Sequence, residues 1–404
     1  VDAHPGRSGI HLLIDSHEAF AARMFLINSA QRTLDVQYYI WRADTTGLLL
    51  FDALSRAAER GVRVRLLLDD YETSGMDSLL ATLNAHKNIE IRLFNPFAVR
   101  RPRLWEMLTD LPRVNRRMHN KSLTADNTVT IVGGRNVADE YFGATGTLFT
   151  DLDVIALGPV VERTSEGFDR YWASRSAYPA ERILPTDETP LQSLKPDAEA
   201  VAYLQEVEKG DLTAALRERD LTLCWTATEL VIDDPDKALG SADGDDLFFT
   251  QLREAVGTPR FSLDIMAPYF IPTDVGVEAL TELARSGVEI QVLTNSLQAT
   301  DETVVHAGYA KWRDELLEHG VRLYELKRGD DTSPPEKNTV GPYGRASATL
   351  HAKTFAVDGE TLVVGSFNAD PRSVNLNTEL GLVMHCPDLA KKVHNAFPHR
   401  VMEY

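Results

Sequence analysis

The sequence predicts an α/β protein: two tandem domains with mixed sheets flanked by helices, related by a pseudo-twofold axis and sharing one active site. Two observations predict this fold. Four sequence blocks recur in the same order in both halves of the chain, and each half contains one copy of the pattern H-x-K-x4-D. With 404 residues, the chain is long enough to form two domains with separate hydrophobic cores.

The duplication rests on four pairs of segments. They are TLDVQYYIW at 33–41 with FSLDIMAPYFI at 261–271, GLLLFDALSRAAERGVRVRLLLDD at 47–70 with GVEALTELARSGVEIQVLTNS at 276–296, IEIRLFNPF at 89–97 with VRLYELK at 321–327, and MHNKSLTADNTVTIVGGRN at 118–136 with LHAKTFAVDGETLVVGSFN at 350–368. Chance similarity between short apolar strands explains one such pair, but not four in register.

The second pair of segments predicts a helix followed by a strand in each half. Apolar residues at helical spacing run through 47–61, and Gly61 stands where a helix commonly ends. Apolar and charged residues then alternate from Val62, which is typical of a strand. The second copy predicts a helix over 276–286, ending at Gly287, and a following strand. Strands that alternate with helices predict a mixed sheet with helices on both faces.

Composition places the boundary between the two domains. A segment rich in proline and acidic residues at 185–200 predicts a linker between an N-terminal domain at 1–184 and a C-terminal domain at 201–404. Residues 327–347 predict a long mobile loop ahead of the second motif, and residues 98–117 hold the equivalent place in the first half.

Composition and charge exclude several classes of function. The chain is 43% hydrophobic and 25% charged, as in globular proteins, and it contains no run of eighteen apolar residues that would predict a transmembrane helix. Its net charge of −18 argues against nucleic acid as a partner, because binding phosphates requires a basic surface. Cys224 and Cys386 have apolar neighbours and predict two buried free thiols rather than a disulfide framework or a metal site.

The repeated motif carries the predicted chemistry. Both copies read H-x-K-x4-D-x6-G-[GS]-x-N, and their residues are His119, Lys121, Asp126, Gly133, Gly134 and Asn136, and His351, Lys353, Asp358, Gly365, Ser366 and Asn368. On a strand, residues i and i+2 face the same side, so each histidine and its lysine are expected to face one cavity. An imidazole that attacks phosphorus, with an ammonium and an amide that hold the phosphate oxygens, suits cleavage of a phosphodiester.

Acidic residues near each motif are candidates for orienting the histidines. Asp153 and Glu379 each lie in an apolar strand, where an unpartnered carboxylate is costly, so we predict that they accept a hydrogen bond from an imidazole. The alternative is that these acids face outward. Asp126 and Asp358 fall at predicted turns, and we interpret them as structural residues that close the turn and pair with a base.

A basic and apolar stretch precedes the first motif. We predict that it binds lipid or its phosphates at the membrane through Arg100, Arg101, Arg103, Trp105, Arg116 and Arg117. The alternative is that Trp105 and Leu108 pack into a core between the domains.

These motifs resemble the phospholipase D superfamily across most of the chain. LDVQYYIW, RGVRVRLLLDD, RLFNPF, NRRMHNK, VGGRN, DLDVIALGPVV, VVHAGYAKW and TLHAK resemble the C-type bacterial cardiolipin synthases. The resemblance implies peripheral attachment to the bacterial inner membrane, on a side the sequence does not define, and no cofactor or metal. It leaves a protein partner unknown. These synthases usually continue past the position of Tyr404, so the resemblance leaves part of the expected membrane-contacting surface outside this sequence.

The resemblance also implies a reaction: transfer of a phosphatidyl group from phosphatidylethanolamine or phosphatidylglycerol to phosphatidylglycerol through a covalent phosphohistidine. It implies His119 as the nucleophile and His351 as the acid and base, although the near-symmetric motifs themselves leave that choice open. Three alternatives remain: a hydrolytic phospholipase D that releases phosphatidic acid, a phosphodiesterase acting on nucleic acid, and a lipid-binding scaffold without activity. The acidic net charge disfavours the second, and two complete motifs disfavour the third.

Overall fold

The structure is a computed structural model that describes residues 3–100, 103–145, 148–185, 196–242, 244–327 and 348–397. The strands of its first part are β1 (Ser8–Leu13), β2 (Thr33–Tyr38), β3 (Arg63–Asp69), β4 (Ile89–Phe94), β5 (Ser122–Ala125), β6 (Val129–Gly133), β7 (Leu148–Thr150), β8 (Asp153–Leu157), β9 (Ala177–Pro179) and β10 (Cys224–Thr226). The helices of this part are α1 (Ser16–Ser29), α2 (Thr45–Glu59), α3 (Asp77–Asn84), α4 (Leu104–Thr109), α5 (Leu111–Val114), α6 (Asp139–Phe142), α7 (Pro159–Trp172), α8 (Ala198–Val207) and α9 (Asp211–Glu218).

The second part repeats this plan. Its strands are β11 (Thr228–Ile232), β12 (Ser262–Met266), β13 (Glu289–Asn295), β14 (Arg322–Leu326), β15 (Ala348–Leu350), β16 (Thr354–Val357), β17 (Thr361–Gly365) and β18 (Leu380–Met384). Its helices are α10 (Phe248–Val256), α11 (Thr273–Arg285), α12 (Thr303–Ala310), α13 (Arg313–Glu318), α14 (Pro371–Asn375) and α15 (Pro387–His394). Short 3-10 turns lie at Ala180–Arg182, Pro235–Leu239 and Gly244–Asp246.

Seven strands of the first large sheet have the same order as the seven strands of the second, which reflects the duplication, and β10 and β9 are additional strands at the edges of the first sheet. The first sheet runs β10-β1-β8-β6-β5-β2-β3-β4-β9, and the second runs β11-β18-β17-β16-β12-β13-β14. In each, three strands are parallel (β2-β3-β4 and β12-β13-β14) and the others pair antiparallel. The predicted mixed sheets flanked by helices are confirmed. The predicted helix ends are also confirmed, because Gly61 and Gly287 both have φ of 96° just beyond α2 and α11.

The two sheets bury apolar side chains on both faces. In β3, Val64, Leu66 and Leu68 pack into an outer core with α1 and α2, whereas Leu67 points into a second core on the opposite face. That second core joins the halves, because it contains residues of β6 and β8, of β17 and β18, and of both α7 and α15. The active-site segments lie at this junction.

The second domain begins later than the predicted residue 201. Ala200, Tyr203 and Val207 of α8 and Leu212 of α9 belong to the outer core of the first half, and β10 pairs with β1. The second sheet begins at β11. Most of the predicted linker and the predicted mobile loop, residues 186–195 and 328–347, lie outside the described residues.

The prediction of two free thiols is wrong, because Cys224 and Cys386 form a disulfide. Cys224 opens β10 at the edge of the first sheet, whereas Cys386 is the residue that precedes α15 in the second half. The two cysteines are 162 residues apart, so no local sequence pattern indicates that they pair. Only the fold brings the two sulfur atoms together. The bond crosslinks the two halves beside their common core.

No helix among the described residues is long and apolar enough to cross a membrane.

Candidate active site

The two histidine segments cross the junction between the halves. The N–H of His119 donates to the carbonyl of Thr378 at 2.9 Å, and the N–H of His351 donates to the carbonyl of Thr150 at 2.7 Å. Immediately before His351, β15 pairs with β7 of the other half. Each histidine is therefore placed by backbone hydrogen bonds to a segment of the opposite half.

The next residue of each partner segment is an acid that holds the histidine ring. Nδ1 of His119 lies 2.9 Å from Oε2 of Glu379, and Nδ1 of His351 lies 2.5 Å from Oδ2 of Asp151. Both carboxylates are fully buried. A carboxylate at Nδ1 fixes the ring and leaves Nε2 as the nitrogen for chemistry, and Nζ of Lys353 lies 3.3 Å from Nε2 of His351. In each imidazole–carboxylate pair, the imidazole therefore comes from one half and the carboxylate from the other, and we call these the crossed pairs.

The prediction that Asp153 supports a histidine is wrong. Its carboxylate binds Arg23 at 2.8 Å and Arg135 at 3.2 Å, inside the first half. Asp153 is the first residue of β8 and lies within the sheet, whereas Asp151 precedes the strand and lies where the second half crosses. The repeat itself contains the missed signal, since aligning TDL at 150–152 with TEL at 378–380 places Asp151 opposite Glu379.

The lysines of both motifs are buried beside their histidines. Nζ of Lys121 donates to the carbonyl of His119 at 2.6 Å, and Nζ of Lys353 donates to the carbonyl of His351 at 2.5 Å. Burial lowers the pKa of both ammonium groups, although the carboxylates of the site oppose this effect. An anionic ligand next to these lysines would therefore favour their charged form.

The asparagines and small residues of the motif shape the floor of the site. Asn136 donates to the hydroxyl of Tyr141 at 2.9 Å, whereas the buried Oδ1 of Asn368 has no partner among the described residues. A Cβ added at Gly134 would come 2.1 Å from Oδ1 of Asp151, so glycine is required there. A Cβ at Gly133 would meet Asp153, and one at Gly365 would meet the backbone of β18.

Ser366 occupies the position equivalent to Gly134, and its hydroxyl donates to Oε2 of Glu379 at 2.5 Å. It also accepts the N–H of Leu380 at 3.0 Å. The two orienting acids therefore have different surroundings despite the duplication.

Aromatic rings enclose both imidazoles, and the motif gave no sign of them. Tyr39 lies edge-on to His119 and Tyr141 lies edge-on to His351, each with ring centroids 5.0 Å apart. Phe149 stacks on His351 at 5.5 Å. All three aromatic residues come from the first half. They restrict the movement of the rings and reduce their contact with water.

The charges of the two histidine pairs differ. Burial, and then the nearby lysines, hold the pKa of His119 well below its usual value, and burial raises the pKa of Glu379 to about 7. Burial also lowers the pKa of His351. Burial alone would raise the pKa of Asp151, but His351 and Lys353 hold it below its usual value. At neutral pH, Asp151 is therefore ionised and His119 is neutral.

The motif aspartates stay away from the site. Asp126 and Asp358 have φ of 53° and 55° and lie at turns. Asp126 accepts the N–H groups of Gln31, Arg32 and Thr33, and Asp358 accepts those of Arg260, Phe261 and Ser262. Their carboxylates bind these backbone groups instead of the predicted basic side chain. They anchor the entry to β2 and β12.

Most of the predicted lipid-binding arginines bind protein groups. Arg100 binds Asp70 and Asp77, Arg103 binds Asp70, and the fully buried Arg117 binds Asp69. Their charges are neutralised within the protein, so the binding of lipid phosphates by these arginines stays a prediction. Arg101 lies outside the described residues. Arg116 differs, because its guanidinium donates to the backbone carbonyls of Lys237 and Asn375.

Trp105 and Leu108 lie at the surface, with 62% and 74% of each residue exposed. The alternative that they pack into the core between the domains is therefore wrong.

Among the described residues, no group of three or more histidine, cysteine, aspartate or glutamate side chains is placed to hold a metal ion. The site presents instead two imidazoles, two ammonium groups and two asparagines, which together suit a phosphodiester.

The family described as "Cardiolipin synthase, PLD-like domain" matches the chain twice, at residues 24–172 and 252–401. The chain belongs to this family, and the resemblance to the phospholipase D superfamily is confirmed. Two curated relatives are similar over nearly the whole chain. Cardiolipin synthase C of Escherichia coli (strain K12) is 48% identical over 402 residues, with 98% of this chain and 85% of that protein covered.

The second relative is an uncharacterized protein of Helicobacter pylori (strain ATCC 700392 / 26695), which is 33% identical, with 96% of this chain and 78% of that protein covered. Among solved structures, phosphatidylserine synthase of Haemophilus influenzae Rd KW20 aligns with a TM-score of 0.67 at 13% identity. That alignment covers 98% of this chain and 87% of the other, and it supports the fold alone.

The crossed pairs predict opposite outcomes for two neighbouring acids. Asp151→Asn should lower kcat by about 10³-fold or more with little change in Tm, because an amide cannot hold His351 in the required tautomer. Asp153→Asn should lower the free energy of unfolding by about 3 kcal/mol, because Arg23 and Arg135 lose their buried partner. Turnover assays and thermal unfolding of both purified variants measure this. An Asp151→Asn variant with near-normal turnover would contradict the assignment.

The pKa of Glu379, about 7, predicts an acid limb in the pH profile. Below that pH, Glu379 is protonated and donates to Nδ1 of His119, so the ring proton moves to Nε2, which then has no lone pair available for nucleophilic attack. We expect kcat/KM to fall about tenfold per pH unit below the pKa. Glu379→Gln should show a lower rate without this limb. The measurement is kcat/KM from about pH 5 to 8, and a flat wild-type profile would contradict the prediction.

Proposed function

We propose that this protein is a cardiolipin synthase, which transfers a phosphatidyl group from phosphatidylethanolamine or phosphatidylglycerol to phosphatidylglycerol. The observation that carries the proposal is the pair of crossed imidazole–carboxylate pairs, each with a buried lysine, at one junction. The relative in Escherichia coli that is named cardiolipin synthase C, at 48% identity, supports the choice of reaction.

In the first step, Nε2 of His119 attacks the phosphorus of the donor. A P–N bond forms while the bond from phosphorus to the headgroup oxygen breaks. His351 gives its Nε2 proton to that oxygen, and the headgroup alcohol leaves. In the second step, the free hydroxyl of phosphatidylglycerol gives its proton to His351 and attacks phosphorus. The P–N bond breaks, and His119 is restored.

The two carboxylates support His119 as the nucleophile, because the pKa of Asp151 beside His351 is lowered whereas that of Glu379 beside His119 is raised to about 7. A nucleophile must be neutral, and the pKa of His119 lies well below its usual value because of burial and the lysines. An acid must carry a proton, and an ionised Asp151 stabilises the protonated form of His351. Burial, and then Lys353, lower the pKa of His351, so the negative charge of the donor phosphate is needed to raise the pKa of that ring and let it carry a proton.

The buried cations and amides would bind the transferred phosphoryl group. Lys121 and Lys353 place ammonium groups next to the two histidines, and the side-chain amide N–H groups of Asn136 and Asn368 are donors for phosphoryl oxygens. As oxygen charge grows in the transition state, these groups stabilise it in a site that excludes water. A hydrolytic phospholipase D would use the same groups with water as the acceptor.

We propose that the protein binds the inner membrane of a bacterium peripherally, through the exposed face of α4 and α5. Trp105, Leu108 and Leu111 are 62%, 74% and 56% exposed. Arg103 fixes this segment to the loop after β3, where it binds the carbonyls of Asp70 and Tyr71. Tyr71 in turn stacks near Tyr39, which contacts His119. These contacts connect the apolar face to His119, and burial of its side chains in lipid is favourable.

The reaction is tested by product analysis and histidine variants. Wild-type protein in vesicles of phosphatidylethanolamine and phosphatidylglycerol should form cardiolipin, identified by mass spectrometry. His119→Ala and His351→Ala should each lower turnover by at least about 10³-fold, and the double variant should add little, because the two rings act as a unit. Phosphatidic acid as the sole lipid product would favour the hydrolytic alternative, and strong residual transfer by one variant would contradict the paired mechanism.

Membrane docking is tested by replacing Trp105 and Leu108 with serine. Loss of two inserted apolar side chains should weaken sedimentation with phosphatidylglycerol vesicles by about 10-fold to 100-fold, while turnover of a short-chain soluble donor falls much less. The matched control replaces Phe261 and Val275 with serine, because these are similarly exposed, at 70% and 76%, in the second half. Equal effects from both double variants would contradict the assigned surface.

A further inference from the structure

Two arginines at the junction of the halves have unusual surroundings. Arg372 of α14 donates to Oδ1 of Asn115 at 2.5 Å and to its carbonyl at 3.0 Å. Arg116 donates to the carbonyls of Lys237 and Asn375 at 3.0 and 3.3 Å. Among the described residues, no carboxylate lies within ion-pair distance of either guanidinium. Both side chains are only partly buried.

This contrasts with the other arginines of the region. Arg100, Arg103, Arg113 and Arg117 all form ion pairs with carboxylates. Asp370 is an acid close in sequence to Arg372, but its carboxylate accepts the N–H of Ser373 at the start of α14. Hydrogen bonds to uncharged oxygen atoms hold each guanidinium in place. Because no carboxylate neutralises its positive charge, each guanidinium can still bind an anion.

Both arginines link the segment that precedes His119 to α14. Asn115 and Arg116 lie in the same short run of chain as His119, and Arg372 follows Asn368 by four residues in the other half. Arg116 reaches α14 through the carbonyl of Asn375, and Arg372 of α14 reaches back to Asn115, so the two arginines bridge the same pair of segments. The charge of Arg372 also contributes to the low pKa of His119.

The duplicated position in the first half has the opposite charge. Glu140 follows Asn136 by four residues, as Arg372 follows Asn368, and it pairs with Arg42 at 2.7 Å. The two sides of the junction are therefore electrostatically unequal, with the unneutralised cations on the side of His119. An anionic lipid headgroup would be drawn to that side.

We propose that Arg372 and Arg116 form a subsite for the phosphate of the acceptor lipid. This inference rests on the proposed function. Transfer to phosphatidylglycerol brings a second phosphodiester, that of the acceptor, close to the phosphate that is being transferred. Lys121 and Lys353 are already assigned to the transferred phosphate. Arg372 and Arg116 would neutralise the second phosphate and hold the free glycerol hydroxyl toward phosphorus. The subsite would favour an acceptor with a phosphate over glycerol or water.

The experiment compares two acceptors with the same donor, phosphatidylethanolamine, in detergent micelles. One acceptor is phosphatidylglycerol, and the other is glycerol, which lacks a phosphate. For Arg372→Gln, the ratio of kcat/KM for phosphatidylglycerol to that for glycerol should fall at least about tenfold, mainly through KM, since a charge-assisted contact to the acceptor is lost. Arg116→Gln should lower the ratio less, and Arg372→Lys should retain part of it.

Arg253→Gln is the matched control, because Arg253 is an exposed arginine of α10 and should leave the ratio at its wild-type value. If Arg372→Gln leaves this ratio unchanged, the subsite is overturned. This holds whether kcat/KM falls equally for both acceptors or for neither. If the wild-type protein forms cardiolipin but the variant has an unchanged ratio, the subsite is wrong and the proposed function stands. If the wild-type protein makes no cardiolipin, the proposed function and the acceptor role are both overturned.

Discussion

The crossed hydrogen bonds between imidazole and carboxylate are the interaction on which the rest of the site depends. Glu379 of the second half holds His119, and Asp151 of the first half holds His351. Each of these carboxylates is fully buried, where a charge without a partner is costly. Neither half contains a complete pair, so the junction of the two halves is a condition for the chemistry as well as for stability.

Several features of the fold maintain that junction. The core between the sheets joins residues of β6 and β8 to residues of β17 and β18, and β7 pairs with β15 across it. The disulfide between Cys224 and Cys386 crosslinks the same two halves. A displacement of one half by about 1 Å would lengthen both imidazole–carboxylate contacts, and such misplacement is costly for catalysis.

Duplication produced two similar motifs, but the surroundings of the two copies have diverged. Ser366 stands where the first half has Gly134, and its hydroxyl binds Glu379. Arg372 stands where the first half has Glu140. Such differences give the two chemically identical rings different surroundings, although burial lowers the pKa of both.

The sequence by itself determined the duplicated α/β fold and the identity of the histidines, lysines and asparagines, because strand and helix periodicity and the motif spacing are local patterns. Tertiary structure decided which partners those residues meet. The choice of Asp151 over Asp153 depends on where β8 begins, and the disulfide and the late start of the second domain depend on contacts between distant segments. The ion pairs of Arg100, Arg103 and Arg117 with Asp69, Asp70 and Asp77 likewise convert an apparently basic surface into a neutralised one. A linear pattern records residue types and spacing, whereas the pairing of charges across a junction exists only when the chain is folded.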